Sequence, residues 1–253
     1  MFTVTTVVLL TMLLVIAGYT LHKVRQIHLM TFGLRDQVQQ VPATMFRQLE
    51  ALHGLHLELD LKHSLPGTRG WVASPDFLLE LARHALASRP GVVVECSSGT
   101  STLVLARCMQ RNGHGTVYSL EHDPVYAEQT RAQLRRLGLS DWAVVLQAPL
   151  TPMQLGPDSW PWYQTALLPP VEIDMLVIDG PPMATATLAR YPAGPALFHR
   201  IADGASVFLD DAARPDEQAI LKRWAVEFPT FAQMLLPFEK GCAVLTRHCG
   251  RAV

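Results

Sequence analysis

Acidic residues that follow short apolar runs are the side chains of this sequence best placed to do chemistry. Glu95 follows GVVV, Glu121 ends TVYSLE, Asp179 ends IDMLVID, and Asp210 and Asp211 follow ASVFL. The β-branched run before Glu95 has no polar alternation, which is typical of a buried strand in a parallel sheet. Because ligands of such sheets bind beyond the carboxyl ends of the strands, we expect these acids to face one ligand site.

A loop of small residues follows Glu95, with the sequence ECSSGTST at 95–102. Gly99 and its neighbours allow the backbone to approach a ligand closely. The free N–H groups at the start of the next helix favour a carboxylate or a phosphate. The loop is not a G-x-G-x-x-G motif, so it does not define the ligand by itself.

Glu121 lies about 20 residues beyond this loop, the spacing at which an acid accepts ribose hydroxyls in dinucleotide folds. This predicts an adenosine-containing cofactor, either NAD or S-adenosylmethionine (SAM). Glu95 favours SAM, because a carboxylate repels a pyrophosphate and attracts the ammonium group of a methionine tail. The alternatives are a surface carboxylate for Glu95 and a helix-capping acid for Glu121.

Strands and helices alternate along most of the chain. The predicted strands are residues 91–95, 116–121, 143–147, 173–179 and 205–209, and the predicted helices are residues 75–87, 99–111, 124–137, 188–201 and 216–228. Residues 149–170 form a loose connection, and residues 231–236 and 242–247 form a hairpin. The pattern predicts an α/β fold with a doubly wound, mostly parallel Rossmann-like sheet and a C-terminal antiparallel hairpin.

The N-terminal segment, residues 4–21, is apolar, uncharged and about long enough to span a bilayer as a transmembrane helix. Lys23, Arg25 and Arg35 follow it, so the positive-inside rule predicts a single-pass membrane protein with a cytoplasmic catalytic domain. A cleaved signal peptide would need a basic n-region, which is absent. A buried core helix is the other alternative.

Three segments are therefore predicted. Residues 1–23 are a transmembrane anchor, residues 24–65 are a juxtamembrane helical linker interrupted at Pro42, and residues 66–253 are the catalytic domain. The linker is also a candidate dimerising stretch, which would give a homodimer. His53 and His56 lie one helical turn apart in it, but no third metal ligand accompanies them.

The motifs resemble those of the class I SAM-dependent methyltransferases over residues 71–245. The similarity is greatest to a bacterial O-methyltransferase-like family of the methyltransferase-24 type, with motifs such as E-x-G-S-G-x-S-T, S-L-E-H-D and I-D-x-x-x-x-D-G-P-P. The corresponding segments here are ECSSGTST, SLEHD and IDMLVIDGPP.

The resemblance implies the cofactor contacts. Residues at the methionine part of SAM would be Glu95, Ser97, Gly99 and Ser101, with Glu121 at the ribose and Ala148 near the adenine. Ser97 stands where the family has glycine. A Cβ atom there would weaken cofactor binding if the position needs a positive φ.

Asp179, Asp210 and Asp211 are candidate metal ligands. Three close carboxylates repel one another unless they are protonated or bind a cation, and their hard oxygens suit Mg²⁺. The set is similar to the Asp and Asp-Asn ligands of catechol-type O-methyltransferases, in which the metal lowers the pKa of a substrate hydroxyl. The lysine of those enzymes is replaced here by Pro182. Alternatively, Asp210 or Asp211 caps the next turn, and Asp179 faces the substrate as the catalytic residue.

Other side chains give weaker predictions. Trp160, Trp162 and Tyr163 would stack on the acceptor or cover the cofactor pocket. Arg190 and Tyr191 are candidates for contact with an acidic substrate. Four cysteines without a C-x-x-C pair exclude common zinc motifs, and they favour buried thiols over a bridge between residues 242 and 249.

The composition narrows the function. The formal net charge of −1 gives no basic excess, so no nucleic-acid partner is expected. We predict O-methyl transfer from SAM to a small-molecule, lipid-linked or glycan acceptor, because the membrane tether favours membrane substrates. An NAD-dependent oxidoreductase is an alternative, although no Tyr-x-x-x-Lys motif is present. A non-catalytic binding module on the same fold is the other.

Overall fold

A computed structural model describes residues 2–67 and 73–248. Nine strands occur in the described residues: β1 Val92–Cys96, β2 Thr116–Glu121, β3 Ala143–Gln147, β4 Leu150–Leu155, β5 Asp158–Tyr163, β6 Ile173–Ile178, β7 Ile201–Asp210, β8 Phe231–Leu236 and β9 Cys242–Arg247. The α-helices are α1 Phe2–Leu59, α2 Pro75–Ser88, α3 Thr100–Asn112, α4 Pro124–Arg136, α5 Ala193–Leu197 and α6 Pro215–Glu227.

Seven of the strands form one sheet in the order β3-β2-β1-β6-β7-β9-β8. β3, β2, β1, β6 and β7 pair in parallel, whereas β9 pairs antiparallel with both β7 and β8. Chain order reverses between β1 and β6, which is the position at which doubly wound sheets bind ligands. The predicted fold class is confirmed.

Alternate residues of each strand pack on opposite faces of the sheet. In β1, Val93 belongs to a core with α2, α3 and α4, and Val94 belongs to a second core with α5 and α6. Burial on both faces explains why these strands are continuous apolar runs in the sequence. The sheet is thereby fixed from both sides, and its strand ends become rigid supports for the side chains that follow them.

Three local predictions were wrong. The connection at 149–170 contains an antiparallel hairpin of β4 and β5. The helix predicted at 188–201 is reduced to α5 and a short 3₁₀ turn, because Pro192 and Pro195 remove backbone donors. The linker is not interrupted at Pro42, since α1 continues through it. A single proline removes one backbone donor, and the hydrogen bonds on either side of it can continue the helix.

The chain divides into two compact units between Arg47 and Gln48. In the first unit, residues 6–32 form the only helical segment of the described residues that is long and apolar enough to cross a membrane, and none of its most apolar window is buried. In the second unit, Leu55 and Leu59 at the end of α1 are fully buried in the core with α2 and α3. The second unit therefore begins before the predicted boundary at residue 66.

The described cysteines, Cys96, Cys108 and Cys242, are buried free thiols. Cys249, the other cysteine of the less favoured bridge, lies outside the described residues.

Candidate functional site

A cavity of about 720 Å³ opens at the carboxyl ends of the central strands. Its lining includes Ser97, Gly99 and Ser101 after β1, Glu121 at the end of β2, and Asp179 after β6. Since β2 and β6 lie on either side of β1, Glu121 and Asp179 flank the loop between them. The sequence-predicted residues of three strand ends therefore share one cavity.

The loop between β1 and α3 is attached to Glu121. The backbone N–H and the hydroxyl of Ser98 each donate a 3.0 Å hydrogen bond to Glu121 Oε2, and the N–H of Asp123 donates to Oε1 at 3.0 Å. A carboxylate can accept about four hydrogen bonds, so Glu121 keeps acceptor capacity toward the cavity. The predicted helix-capping role belongs to Asp123, which accepts the N–H groups of Val125 and Tyr126.

Glu95 lies beneath the loop and is not part of the cavity lining. Its side chain is fully buried, and Oε2 accepts hydrogen bonds from Thr102 at 2.6 Å and Ser119 at 2.7 Å. Oε1 has no partner among the described residues. Burial raises the pKa of Glu95, while hydrogen bonds from neighbouring hydroxyls oppose that rise. The alternative of a surface carboxylate at Glu95 is excluded.

Ser97 adopts a φ of +118°, a backbone conformation that favours glycine. Its N–H donates to the carbonyl of Leu120 at 3.0 Å, which fixes the loop to β2. The departure from the family motif therefore falls at a residue that carries backbone strain. Gly99, two residues later, also has a positive φ, of +154°.

Ala148 does not line the cavity. Its N–H donates to the carbonyl of Glu121 at 2.7 Å, and its side chain is fully buried. On this side the cavity is lined instead by Tyr126, Gln129 and Gln133 of α4. The sequence does not predict these three residues as part of the site. They look like the other polar residues of the helix, and only the folded structure shows that they line the cavity.

Asp179, Asp210 and Asp211 come together as predicted, with carboxylate oxygens within 4.8 Å of one another. Arg190 lies among them and is buried. Its Nη2 donates to Asp179 Oδ1 at 3.2 Å and to Asp211 Oδ2 at 2.8 Å, and its Nη1 donates to the carbonyl of Asp210 at 2.9 Å. Arg214 adds a second ion pair with Asp211 at 2.8 Å.

Burial governs the protonation of this cluster. It raises the pKa of Asp179 to about 6, an effect that Arg190 opposes and Asp211 reinforces. Burial also raises the pKa of Asp210 well above its ordinary range, with Asp179 and Asp211 adding to the rise. At neutral pH, Asp179 is therefore ionised and able to accept a proton.

The arrangement of the three acids does not match that of a divalent-cation site. Asp210 does not line the cavity, so only two of the three predicted ligands face it. The guanidinium of Arg190 already contacts all three residues, and a metal ion at the same position would meet a fixed positive charge. The residues as arranged do not fit a bound Mg²⁺.

The aromatic residues of β5 divide between the core and the cavity. Trp160 and Trp162 are buried in the core with α5 and α6, and neither lines the cavity. Tyr163 does line it, with a buried hydroxyl that has no partner among the described residues. Burial raises the pKa of Tyr163 well above its usual value, so its hydroxyl stays protonated and is able to donate a hydrogen bond.

The predicted contact with an acidic substrate stays a prediction for Arg190, which lines the cavity, and Tyr191 does not line it. Arg190 pairs with acids of the protein itself, and the Tyr191 hydroxyl donates to Glu227 at 2.8 Å away from the cavity.

Residues 94–212 match a family model described as a methyltransferase domain. No curated protein matches the chain significantly. With the strand order and the acids at the strand ends, the family match shows that the chain carries a methyltransferase domain. The match supports the SAM-dependent methyltransferase of class I that the motifs predict.

Solved structures show the same fold. A methyltransferase from Geobacter sulfurreducens is 15% identical, with 83% of this chain and 96% of that chain covered and a TM-score of 0.54. The methyltransferase PaMTH1 of Podospora anserina, solved with S-adenosylhomocysteine, is 15% identical over 78% and 88% of the two chains, with a TM-score of 0.57. The O-methyltransferase TomG of Streptomyces achromogenes, solved with SAM, is 16% identical over 80% and 89%, with a TM-score of 0.50.

Proposed function

We propose that this protein is a membrane-anchored methyltransferase that transfers the methyl group of SAM to a hydroxyl oxygen of an acceptor bound beside Asp179. The observation that carries the proposal is the shared cavity, which has Glu121 and the small-residue loop on one side of β1 and Asp179 on the other. SAM supplies a methyl group on a positively charged sulfur. A cavity of about 720 Å³ has the size of a small-molecule site.

The residues around β1 are proposed to bind SAM. Glu121 accepts the ribose hydroxyls, and Ser97, Gly99 and Ser101 surround the methionine part. Glu95 contributes negative charge below that loop, a role supported by its unpartnered Oε1. The segment at Ala148 remains a proposed boundary of the adenine site, reached through the backbone next to Glu121.

Asp179 is proposed as the catalytic base. The acceptor oxygen forms a bond to the methyl carbon while the carbon–sulfur bond breaks, and the hydroxyl proton passes to the Asp179 carboxylate. The protein contributes mainly by holding the two substrates close together in the right orientation. The base removes the proton of the acceptor hydroxyl as the new bond forms. A hydroxyl acceptor fits because its proton needs such a base at neutral pH.

The anchor narrows the class of acceptor. Residues 1–23 are proposed as a single-pass membrane anchor, residues 24–65 as the juxtamembrane helical linker and dimerising stretch, and residues 66–253 as the catalytic domain. The proposal is supported by the candidate membrane span at 6–32, which covers most of the anchor and the first residues of the linker. With Lys23, Arg25 and Arg35 on the cytoplasmic side, the cavity would act on small-molecule, lipid-linked or glycan acceptors near the inner membrane surface.

Calorimetry of the full chain in detergent tests the cofactor. We expect saturable heat with SAM and none with NADH. Glu121→Ala should weaken SAM binding by about 10- to 100-fold, because hydrogen bonds to a charged group contribute about 1.5–3 kcal/mol. Glu128→Ala, on the exposed face of α4, is the matched control and should bind as the wild type does.

The same titration separates the alternatives. Heat with NADH and none with SAM would favour the NAD-dependent oxidoreductase. No heat with either nucleotide would favour a binding module that has kept the fold without the activity.

A further inference from the structure

A buried arginine side chain, Arg190, supplies positive charge to the acidic cluster. Arg190, from the segment after β6, is 4% exposed and contacts all three acids at the carboxyl ends of β6 and β7. Its Nη2 also donates to the backbone carbonyl of Asp179 at 3.0 Å. One guanidinium thus fixes both the backbone and the side chain of Asp179.

The guanidinium of Arg190 occupies the place where a metal ion would bind the three acids. Asp179 Oδ1 and Asp211 Oδ2 already accept hydrogen bonds from Nη2, so a metal ion would have to displace these bonds to use the two oxygens. The other Asp211 oxygen and both Asp210 oxygens have no partner among the described residues, but an ion bound to them would lie close to the fixed charge of Arg190. The planar fork of arginine is well suited to holding two carboxylates at once, and it stays charged at all working pH values. Arg214 adds a second positive charge at the same oxygen, because its Nη1 lies 2.8 Å from Asp211 Oδ2.

We propose that Arg190 takes the place of a divalent cation at the Asp179–Asp210–Asp211 cluster, so that methyl transfer in this chain needs no bound metal. The inference rests on the proposed function for the reaction itself, but its first test needs no acceptor. Arg190 acts as a positioning residue: it orients Asp179 toward the acceptor and keeps the other two acids from repelling it. The acceptor proton is then taken by Asp179 instead of being acidified by a metal.

Manganese(II) binding to the full chain in detergent is the direct test. Mn²⁺ takes the oxygen ligands that suit Mg²⁺, and its paramagnetic resonance signal in solution is lost when it binds. We expect the wild-type protein to leave the signal of equimolar Mn²⁺ unchanged. Saturable Mn²⁺ binding to the wild type that disappears in Asp179→Asn would overturn the proposal.

Arg190 variants test the reason for that exclusion. Arg190→Gln removes the cation that Asp179 and Asp211 share. We expect Mn²⁺ to bind this variant at least about tenfold more tightly than the wild type, the scale on which a supporting group changes metal affinity. Arg190→Lys keeps a positive charge and should not bind Mn²⁺. Adding Asp179→Asn to Arg190→Gln should abolish the gained binding.

The controls keep the result decisive. Arg223→Gln removes the same charge from the exposed Arg223–Glu227 pair and should gain no Mn²⁺ binding. An Arg190→Gln protein that binds SAM normally and still binds no Mn²⁺ contradicts the proposal. If that variant does not fold, the wild-type titration decides alone. Absence of SAM binding by the wild type would instead remove the proposed function, whatever the Mn²⁺ result.

Discussion

Thr102 connects the buried Glu95 to the backbone of the cofactor loop. Its hydroxyl donates a 2.6 Å hydrogen bond to Glu95 Oε2 and accepts the N–H of Gly99 at 3.0 Å. Thus a carboxylate that does not line the cavity controls the conformation of a loop that does. The role of Glu95 in the site is therefore tied to the order of residues 97–101, in addition to its charge.

Thr102→Val tests this connection. Valine has almost the same shape, but it leaves the Gly99 N–H and one acceptor site of Glu95 unpaired inside the protein. We expect the free energy of unfolding to fall by about 1–3 kcal/mol, the cost of an unsatisfied buried polar group. Denaturant unfolding of the full chain measures it. Thr151→Val on the exposed face of β4 is the control, and an equal loss in both variants would contradict the connection.

Ser97→Gly should stabilise the protein. Holding a non-glycine residue in a sparsely populated region of backbone conformation costs about 1–3 kcal/mol, which the change to glycine removes. Glycine also gives the unfolded chain more conformational freedom, and this lowers the gain by about 0.5–1 kcal/mol. We expect a net gain of about 1 kcal/mol in the free energy of unfolding, together with tighter SAM binding.

Ser97→Ala is the matched control for this gain, because it removes the hydroxyl and keeps the Cβ atom that strains the backbone. It should show no stabilisation. If both variants gave the same stability, the positive φ of Ser97 would not be the source of the effect.

The strands that carry the site residues could be predicted because burial alone determines their sequence pattern. Burial on both faces selects continuous β-branched runs, so β2 and β3 were predicted with their observed bounds and β1 within one residue. The acids that follow these strands were predicted for the same reason, since the end of a strand fixes where the next side chain lies.

Other features depend on contacts that no local pattern contains. The β4–β5 hairpin carries Pro152 and Pro161, which are unfavourable in strands and are tolerated because the hairpin forms its own two-stranded sheet. The position of Arg190 among the acids depends on the fold of 180–192, where turns replace the first residues of the helix predicted at 188–201. The sequence placed Arg190 beyond Asp179 but gave no sign that its guanidinium faces the protein's own carboxylates.

The pKa of Asp179 predicts a pH dependence of stability. Burial raises this pKa from 3.8 to about 6 in the folded protein, so the folded state holds the proton more tightly than the unfolded state. The contribution of this group is therefore complete below pH 3.8 and is lost as the pH rises through about 6. Relative to Asp179→Asn, the wild type should lose about 3 kcal/mol across this range.

Denaturant unfolding of both proteins at several pH values measures this difference. Asp203→Asn, which changes an exposed acid paired with Arg247, gives the background. A constant difference between wild type and Asp179→Asn over the whole range would show that burial does not perturb Asp179. The ionised form above pH 6 is the one that the proposed mechanism needs as a base.

The apolar segment of α1 predicts attachment to lipid. Leu13 and Ile16 lie within residues 6–32 and are exposed, so they would contact hydrocarbon in a membrane. An arginine at the centre of a membrane-spanning helix costs about 2.5–3.5 kcal/mol. We therefore expect the wild type to sediment with lipid vesicles and the double variant Leu13→Arg, Ile16→Arg to stay in the supernatant. Leu57→Arg, at an exposed position near the end of α1, should leave sedimentation unchanged. A Leu13→Arg, Ile16→Arg protein that sediments as fully as the wild type would show that these residues do not enter the bilayer.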